Sequence, residues 1–468
     1  MVFNGLFQRF VEASPACVMH RALMENIFAP EKLNAVFQLA AKIQYERELL
    51  FSTVVELTSQ VVCRLSKSTR MAYLAQRERI TVSLQAIYDK LGHLELGTSE
   101  ALVRYTSRQA SDLIDRCQGA RPPLLNGYRT RILDGNHLGK TNHRLSVLRN
   151  TAAGPLPGQS LVLLDPLRMV IDEVVLCEDG HAQERSLLPR VILLLERRDL
   201  LIADRNFCTL AFLFAILARK ASFIIRQHGS MPWKSLSKAK YMGPCATGRV
   251  YEEVIELRDP ATGRTTQLRR ITIRLKSPTR DGDTEIHLLT NLPAPVTALK
   301  VADLYRKRWT LEQAFHELTT HLRCELNTLG YPKAALFAFS VAVCSYNVLA
   351  ALKAALRGVH GDKKVKQEVS NYYLTNEIQS VYGGMMVALP PTKWKSFQTL
   401  SPAELAKQLM QWARAADLNR YPKQVRDPKP PKRKLPPARS QHVATSRLLE
   451  KQRLQKQRKR KTPSNSGP

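Results

Sequence analysis

The feature that most constrains the fold is a change of hydrophobic rhythm along the chain. Up to about residue 122, apolar residues recur at helical spacing and Gly and Pro are sparse. Pro122-Pro123 then ends the pattern, and short apolar segments with strand character begin near residue 127. Three of these follow in succession, and helices and strands alternate as far as residue 226. This order predicts an α/β protein whose mixed sheet is covered by helices.

A second change of pattern occurs between residues 229 and 296. The helical signal disappears there, and three strand-like segments remain, at residues 250–257, 267–275 and 284–290. Helical patterns resume after residue 296, at residues 299–323, 333–356 and 402–415. We therefore expect an all-β insertion inside the α/β region.

The charge of the chain points to a polyanionic partner. Its 468 residues include 71 Lys or Arg and 40 Asp or Glu, for a formal net charge of +31. Residues 421–468 contain 15 basic and two acidic side chains, which leaves +18 on the other 420 residues. Such a surplus favours binding to nucleic acid, because Lys and Arg release counterions when they neutralise phosphates. The proline-rich, basic end of the chain is expected to be a disordered tail.

The longest uncharged stretch runs from Ala334 to Leu352. Its 19 residues are enough to cross a bilayer, but they include two serines, a tyrosine and an asparagine. We expect a buried core helix and no membrane contact. The eight cysteines form no CxxC pair, which argues against a zinc site and favours reduced thiols.

Two carboxylates stand at the ends of predicted strands. Asp134 and Asp204 each follow an apolar segment, and sheets place such positions side by side at one edge. Together with a third carboxylate they would suit Mg²⁺, which prefers oxygen ligands. Each aspartate alone could equally cap a turn.

The third carboxylate is Glu312, on the helix predicted for residues 299–323. At 100° per residue, the leucines of this segment form a core face, and a polar stripe lies beside it. That stripe contains Tyr305, Arg308, Glu312 and Arg323. The arrangement suits binding of metal and phosphate together, although an ordinary solvated helix face would give the same pattern.

The residues 305–312 closely resemble the signature helix of the bacterial insertion-sequence DDE transposases of family four. Tyr305, Arg308 and Glu312 match the spacing of its Tyr, Arg and Glu. The segment Ala203-Asp204-Arg205-Asn206-Phe207 is similar to the family's second aspartate motif, and Leu133-Asp134-Gly135-Asn136-His137 to its first. The family's lysine, seven residues after the glutamate, is replaced here by Thr319.

The resemblance implies a ribonuclease-H-like catalytic domain with Asp134, Asp204 and Glu312 as both catalytic residues and metal ligands. Two Mg²⁺ ions, which Mn²⁺ could replace, would activate water and then a 3′-hydroxyl for attack on phosphodiesters. The corresponding organisation is a helical, DNA-end-binding region (1–125), a catalytic domain in two parts (126–228 and 297–418), the β-rich insertion (229–296) and the basic tail (419–468).

Further residues are predicted to contact DNA. Tyr305 and Arg308 would hold the phosphate of the reacting strand, and Arg323 would replace the missing lysine, with Lys140 and Arg205 as other candidates. Trp233 could stack on an extruded base, as in related transposases that form hairpin ends, or simply pack within the β-rich segment.

The function expected from this resemblance is cleavage and strand transfer at the ends of the protein's own insertion element. Its partners would be double-stranded DNA, both the terminal inverted repeats and the target, bound by a homodimer in the bacterial cytoplasm at the nucleoid. The alternatives are a catalytically inactive relative that only binds DNA and a stand-alone nuclease.

Overall fold

The computed structural model describes residues 5–44, 47–139, 141–279, 282–424 and 441–461. Within these residues, ten strands form one mixed sheet and two short strands form a second sheet. The strands are Arg129–His137 (β1), Gly154–Leu156 (β2), Gln159–Asp165 (β3), Val170–Cys177 (β4), Asp199–Ala203 (β5), Ser222–Arg226 (β6), Lys234–Ser235 (β7), Lys240–Cys245 (β8), Gly248–Arg258 (β9), Thr265–Leu275 (β10), Glu285–Thr290 (β11) and His442–Ala444 (β12). The predicted mixed α/β architecture is confirmed.

The large sheet has the strand order β4-β3-β1-β5-β6-β11-β10-β9-β7, with β8 paired to β9. Its central strands β1, β5 and β6 are parallel, whereas β3 and β4 pair in antiparallel fashion beside β1. Every residue of β3 and β5 is buried, as expected of strands covered on both faces. This burial explains the nearly continuous apolar runs in the sequence.

The segment at residues 229–296 is rich in strands, as predicted, and these strands extend the central sheet. β11 pairs in antiparallel fashion with β6, and β10 and β9 follow in order. The register of β11 on β6 aligns Leu289 with Ile225, both fully buried. The sequence did not indicate that both regions share one sheet, because strand periodicity carries no information about the pairing partner.

Helices surround the sheet. Those before it are Gly5–Ala13 (α1), Pro15–Ile27 (α2), Pro30–Ala40 (α3), Phe51–Val62 (α4), Thr69–Ala75 (α5), Leu84–His93 (α6) and Leu96–Arg116 (α7). Those within and after it are Leu188–Leu193 (α8), Leu210–Ala218 (α9), Ala298–Arg306 (α10), Trp309–Thr320 (α11), Pro332–His360 (α12), Asp362–Glu368 (α13), Asn371–Ala388 (α14), Pro402–Ala415 (α15) and Thr445–Lys461 (α16). The N-terminal region is helical, and α7 packs against both α12 and β4.

The uncharged stretch lies on α12. This helix is long and apolar enough to cross a membrane, and 94% of its most apolar window is buried inside the protein. It contacts α4, α7 and α15 along its length. α12 is therefore packed as the core helix that the sequence predicted.

The single helix predicted for residues 299–323 is wrong in two respects. The chain forms α10 and α11, which are separated at Lys307 and Arg308, and α11 ends at Thr320. At the junction, the N–H groups of Thr310 and Leu311 donate to carbonyls three residues earlier, which is a tighter turn than the α-helix. The predicted core face persists, because Leu304, Leu311 and Leu318 are all buried.

The disordered tail predicted from residue 419 is wrong for two segments. Tyr421 is buried and donates a hydrogen bond of 2.9 Å to the Glu377 carboxylate. Farther along, β12 pairs in parallel with β2, and Thr445 at the start of α16 is buried. A few apolar and hydroxyl side chains in this charged sequence are thus enough to anchor it. Residues 425–440 and 462–468 of the predicted tail lie outside the described residues.

The basic end of the chain provides a first prediction. Deletion of residues 450–468 removes seven Lys or Arg and one Glu but leaves β12 and Thr445 in place. We expect affinity for random duplex DNA to fall roughly tenfold and its salt dependence to flatten, because fewer counterions are released. Fluorescence anisotropy titrations at several salt concentrations measure both. Deletion of residues 421–468 is the contrasting variant, and it should lower the melting temperature because Tyr421 is lost. Equal melting temperatures for the two deletion variants would contradict this.

Candidate active site

Asp134 and Asp204 lie side by side because of the strand pairing. β1 and β5 are parallel neighbours in which Leu133 pairs with Ala203, and an aspartate is the next residue of each chain segment. Asp204 follows the last residue of β5, as predicted, but the prediction that Asp134 ends its strand is wrong, because β1 continues to His137 through its pairing with β3. Asp134 is still the neighbour of Asp204 at the carboxyl end of β5. The Asp134 carboxylate also accepts a hydrogen bond of 2.9 Å from the Gly135 N–H.

The junction between α10 and α11 places three more predicted residues against these aspartates. The Tyr305 hydroxyl donates to Asp204 Oδ1 at 3.2 Å. The Arg308 guanidinium donates to Asp134 Oδ2 at 3.1 Å and to Glu312 Oε1 at 2.7 Å. Arg308 stands at the break between the helices, and its fork reaches both carboxylates. The structure thus gathers five of the sequence-predicted residues into one cluster, the carboxylate cluster: Asp134, Asp204, Tyr305, Arg308 and Glu312.

Burial and neighbouring charges shift the pKa values of side chains in the carboxylate cluster. Burial raises the pKa of Asp134 to about 6; Arg308 and the Gly135 N–H act in the opposite direction, and the charges of Asp204 and Glu312 raise the pKa further. Burial and the charge of Asp204 raise the pKa of Tyr305, so its hydroxyl remains protonated and acts as a donor. Arg308 is the counter-ion of this group, and its buried Nε has no hydrogen-bond partner among the described residues.

The donor chemistry of the carboxylate cluster fits a hard divalent cation, since the cluster contains three carboxylates. In the described part of the chain, however, no three His, Cys, Asp or Glu side chains are arranged to hold a metal ion. The Arg308 guanidinium contacts two of the three carboxylates, Asp134 and Glu312. Metal binding here requires at least one of these ion pairs to open.

Glu184 is a neighbour of the carboxylate cluster that the sequence analysis missed. Its carboxylate accepts a hydrogen bond from Asn206 Nδ2 and lies 3.8 Å from His137 Nδ1. It sits against Gly135, where a Cβ atom would clash with it, so glycine allows its approach to the neighbourhood of Asp134. Glu184 begins a short 3₁₀ helix after β4 and belongs to no sequence pattern, and only the tertiary structure could reveal it.

The other predicted DNA contacts lie elsewhere. Arg205 adjoins Asp204 in the chain, and its Nη1 lies 3.8 Å from Asp283 Oδ2. Trp233 is 39% exposed, but the Arg270 guanidinium lies 4.5 Å from its ring centroid and covers one face. Only the opposite face could stack on a base. Lys140 lies outside the described residues.

Arg323 does not continue the polar stripe of α11. Because the helix ends at Thr320, the Arg323 N–H donates to the Val62 carbonyl and its Nη1 to the Lys67 carbonyl at 2.9 Å. The stripe argument, which placed Arg323 one turn beyond Thr319, is therefore wrong. The side chain faces the turn that follows α4.

The Tyr305 hydroxyl gives a second prediction. Tyr305→Phe removes only the donor to Asp204, so we expect strand cleavage by the purified protein to fall about tenfold or more, as for loss of a hydrogen bond to a charged group. The melting temperature should change little because the buried ring remains. Tyr331→Phe, at a half-exposed tyrosine ahead of α12, is the matched control. If Tyr305→Phe cleaves DNA as fast as Tyr331→Phe, the Tyr305 hydroxyl does not contribute to cleavage.

Comparison with known proteins gives a family match and similarity to solved structures. Residues 160–348 match the family model of the transposase DDE domain, a span that contains Asp204, Tyr305, Arg308 and Glu312 but not Asp134. The chain is also similar to a protein in the cryo-EM structure of the piggyBac transposase synaptic complex with hairpin DNA, at 12% sequence identity and a TM-score of 0.38. That alignment covers 88% of this chain and 87% of the other. No curated protein matches the chain significantly.

Proposed function

We propose that the protein is a DNA transposase that cuts and rejoins DNA at the ends of its own insertion element. The observation that carries the proposal is the carboxylate cluster, in which Arg308 binds Asp134 and Glu312 and Tyr305 binds Asp204. The match of residues 160–348 to the transposase DDE domain supports it independently. The surplus of 31 positive charges suits a nucleic acid substrate.

The three carboxylates are the groups that would hold Mg²⁺, either as one ion or as a pair. Bound there, Mg²⁺ would supply Lewis-acid stabilisation of the attacking and leaving oxygens of a phosphodiester. Mn²⁺ has the same preference for carboxylate oxygens and could replace it. For the metal to bind, Arg308 would have to release at least one carboxylate.

The released Arg308 has a second role in this proposal. Its planar fork is suited to bidentate contact with a phosphate, and its position beside Asp134 and Glu312 places that phosphate at the reacting centre. Tyr305 holds Asp204 in place through its hydroxyl. In the free protein the carboxylates are paired with the Arg308 guanidinium. On binding, the metal would take the carboxylates and the substrate phosphate would take Arg308.

Strand transfer needs both element ends in one complex, so the proposal includes a homodimer assembled on DNA. Its substrate would be the inverted repeats that flank the reading frame, and its place the bacterial nucleoid. The ring of Trp233, open on one face, remains the proposed contact for an extruded base.

The test is a Mg²⁺-dependent assay with full-length protein and labelled DNA that carries the sequences flanking the reading frame. A transposase produces nicks at defined positions and joined products with a target plasmid, and EDTA prevents both. Binding without cleavage would identify an inactive relative. Cleavage without joining, at positions unrelated to the repeats, would identify a nuclease. A duplex with scrambled flanks is the control.

A further inference from the structure

A basic groove lies at the end of α11, outside the carboxylate cluster. One wall is the turn that follows α4, with Arg64, Lys67 and Ser68, and the other comprises Thr319 and residues 323–328. It encloses about 430 Å³ and is open to solvent. We call it the Arg64 groove. Its two walls come from parts of the chain about 255 residues apart, so no local sequence pattern could have predicted it.

Positive charge dominates the Arg64 groove. Arg64 and Lys67 are exposed, and Arg323 is held at its edge by a hydrogen bond to the Lys67 carbonyl. The groove has one carboxylate in its lining, Glu325. That carboxylate accepts a hydrogen bond from the Gly139 backbone, and burial raises its pKa. The groove therefore presents three cations to solvent against one carboxylate that is already engaged.

The Arg64 side chain contacts Thr319, the residue that stands where the family motif has a lysine. Arg64 Nη2 lies 3.4 Å from the carbonyl oxygen of Thr319. Thr319 follows Glu312 by seven residues on α11, which places it on nearly the same helix face and roughly 10 Å along the axis. One DNA strand carries a phosphate for about every 3.4 Å of helix axis, so this separation spans about three phosphates.

The backbone at Arg64 has a conformation that glycine adopts without strain. Arg64 follows the last turn of α4 with a φ of +62°, a conformation that favours glycine. The N–H groups of Leu65 and Ser66 both donate to the Gln60 carbonyl, and this helix-ending turn would form equally well with glycine. Glycine at this position would therefore remove the side chain and leave the turn intact.

We propose that Arg64, assisted by Lys67 and Arg323, binds backbone phosphates of the DNA strand that enters the carboxylate cluster. The N-terminal helical region would then supply, beside Thr319, the positive charge that α11 itself lacks. This inference rests on the proposed function, because it assigns the groove to the same DNA substrate. It also defines a role for the N-terminal region next to the reaction centre.

The test uses Arg64→Gly, because glycine suits the backbone and removes only the side chain. We expect the dissociation constant for flanking-sequence duplex to rise about tenfold and the salt slope to fall by about one unit. The melting temperature should stay equal or rise, since the turn is relieved of strain. Arg64→Lys, which keeps the charge, should retain most of the affinity.

Arg198→Gly is the matched control. Arg198 is also an exposed arginine with a positive φ, of +67°, but it precedes β5 at the edge of the sheet opposite Asp204. The same chemical change there should leave DNA affinity unaltered. If both variants lose the same affinity, the loss is due to net charge and not to the groove. If Arg64→Gly has a lower melting temperature, Arg64 acts as a cap of α11. Either result overturns the proposal.

The outcomes also separate the groove from the proposed function. If the wild-type protein cleaves DNA and Arg64→Gly binds and cleaves equally well, the groove assignment fails and the transposase proposal stands. If the wild-type protein binds DNA without cleavage and Arg64→Gly loses affinity, the groove stands as a DNA site and the catalytic proposal fails. Absence of DNA binding by the wild-type protein would overturn both.

Discussion

Loss of any one carboxylate of the cluster is expected to reduce Mg²⁺-dependent strand cleavage on the order of 10⁴-fold, as for a member of a catalytic unit. Asp134→Asn, Asp204→Asn and Glu312→Gln keep the size of each side chain and remove its charge. In each variant a ligand for a hard cation is lost, and the remaining oxygens cannot compensate. Single-turnover cleavage of a labelled duplex measures the effect.

DNA affinity should not fall in these variants. Binding depends on phosphate contacts, and removal of a negative charge near the DNA leaves them intact or improves them. The matched control is Asp303→Asn on α10, a half-exposed carboxylate that lies 3.8 Å from the neighbouring Arg306 and outside the carboxylate cluster. It should cleave like the wild-type protein. Normal cleavage by any of the three cluster variants would exclude that residue from catalysis, whatever the others do.

The positions of the two aspartates could be predicted from sequence because they depend on a simple rule. Asp204 follows β5, and Asp134 directly follows the apolar residues of β1 that pair with β5, so the parallel pairing places the two at the same edge. Helical spacing alone left a solvated face open for Tyr305, Arg308 and Glu312, and it was the match of their spacing to a known motif that singled them out. In both cases short-range patterns determine which side chains belong to the cluster.

The sequence failed where contacts between distant segments decide the structure. No glycine or proline marks the junction of α10 and α11, and a stripe calculated at 3.6 residues per turn cannot register the tighter turn at Arg308. The end of α11 at Thr320 also directs Arg323 to the turn after α4. Tertiary packing alone brings Glu184 to Gly135 and Arg64 to the end of α11. The tail shows the same limit, since the pairing of β12 with β2 joins residues nearly 290 positions apart.

Arg308 gives the prediction that most directly tests the electrostatics of the cluster. Arg308→Ala leaves Asp134, Asp204 and Glu312 without their counter-ion, and Asp134 is buried enough that its pKa is already raised to about 6. Without Mg²⁺ we expect the free energy of unfolding to fall by about 2 kcal/mol, less than for a fully buried pair because Glu312 is 38% exposed. Thermal or urea unfolding in the presence of EDTA measures this loss.

Two conditions should reverse the loss. Because the pKa of Asp134 is above its unfolded value, its ionisation opposes folding, and the deficit of the variant should shrink as the pH falls from 7 towards 5. Mg²⁺ should raise the melting temperature of Arg308→Ala more than that of the wild-type protein, since no ion pair has to open before it binds. Cleavage should still be impaired, because the phosphate contact of Arg308 is lost.

The matched control is Arg306→Ala, which removes an exposed arginine two residues away. It should change neither the stability at pH 7 nor the response to Mg²⁺. If Arg308→Ala unfolds like this control and gains no extra stabilisation from Mg²⁺, the guanidinium does not occupy the place of a cation among the carboxylates. If instead Arg308→Ala is destabilised but does not respond to Mg²⁺, Arg308 is a structural counter-ion and the three carboxylates do not form a metal site.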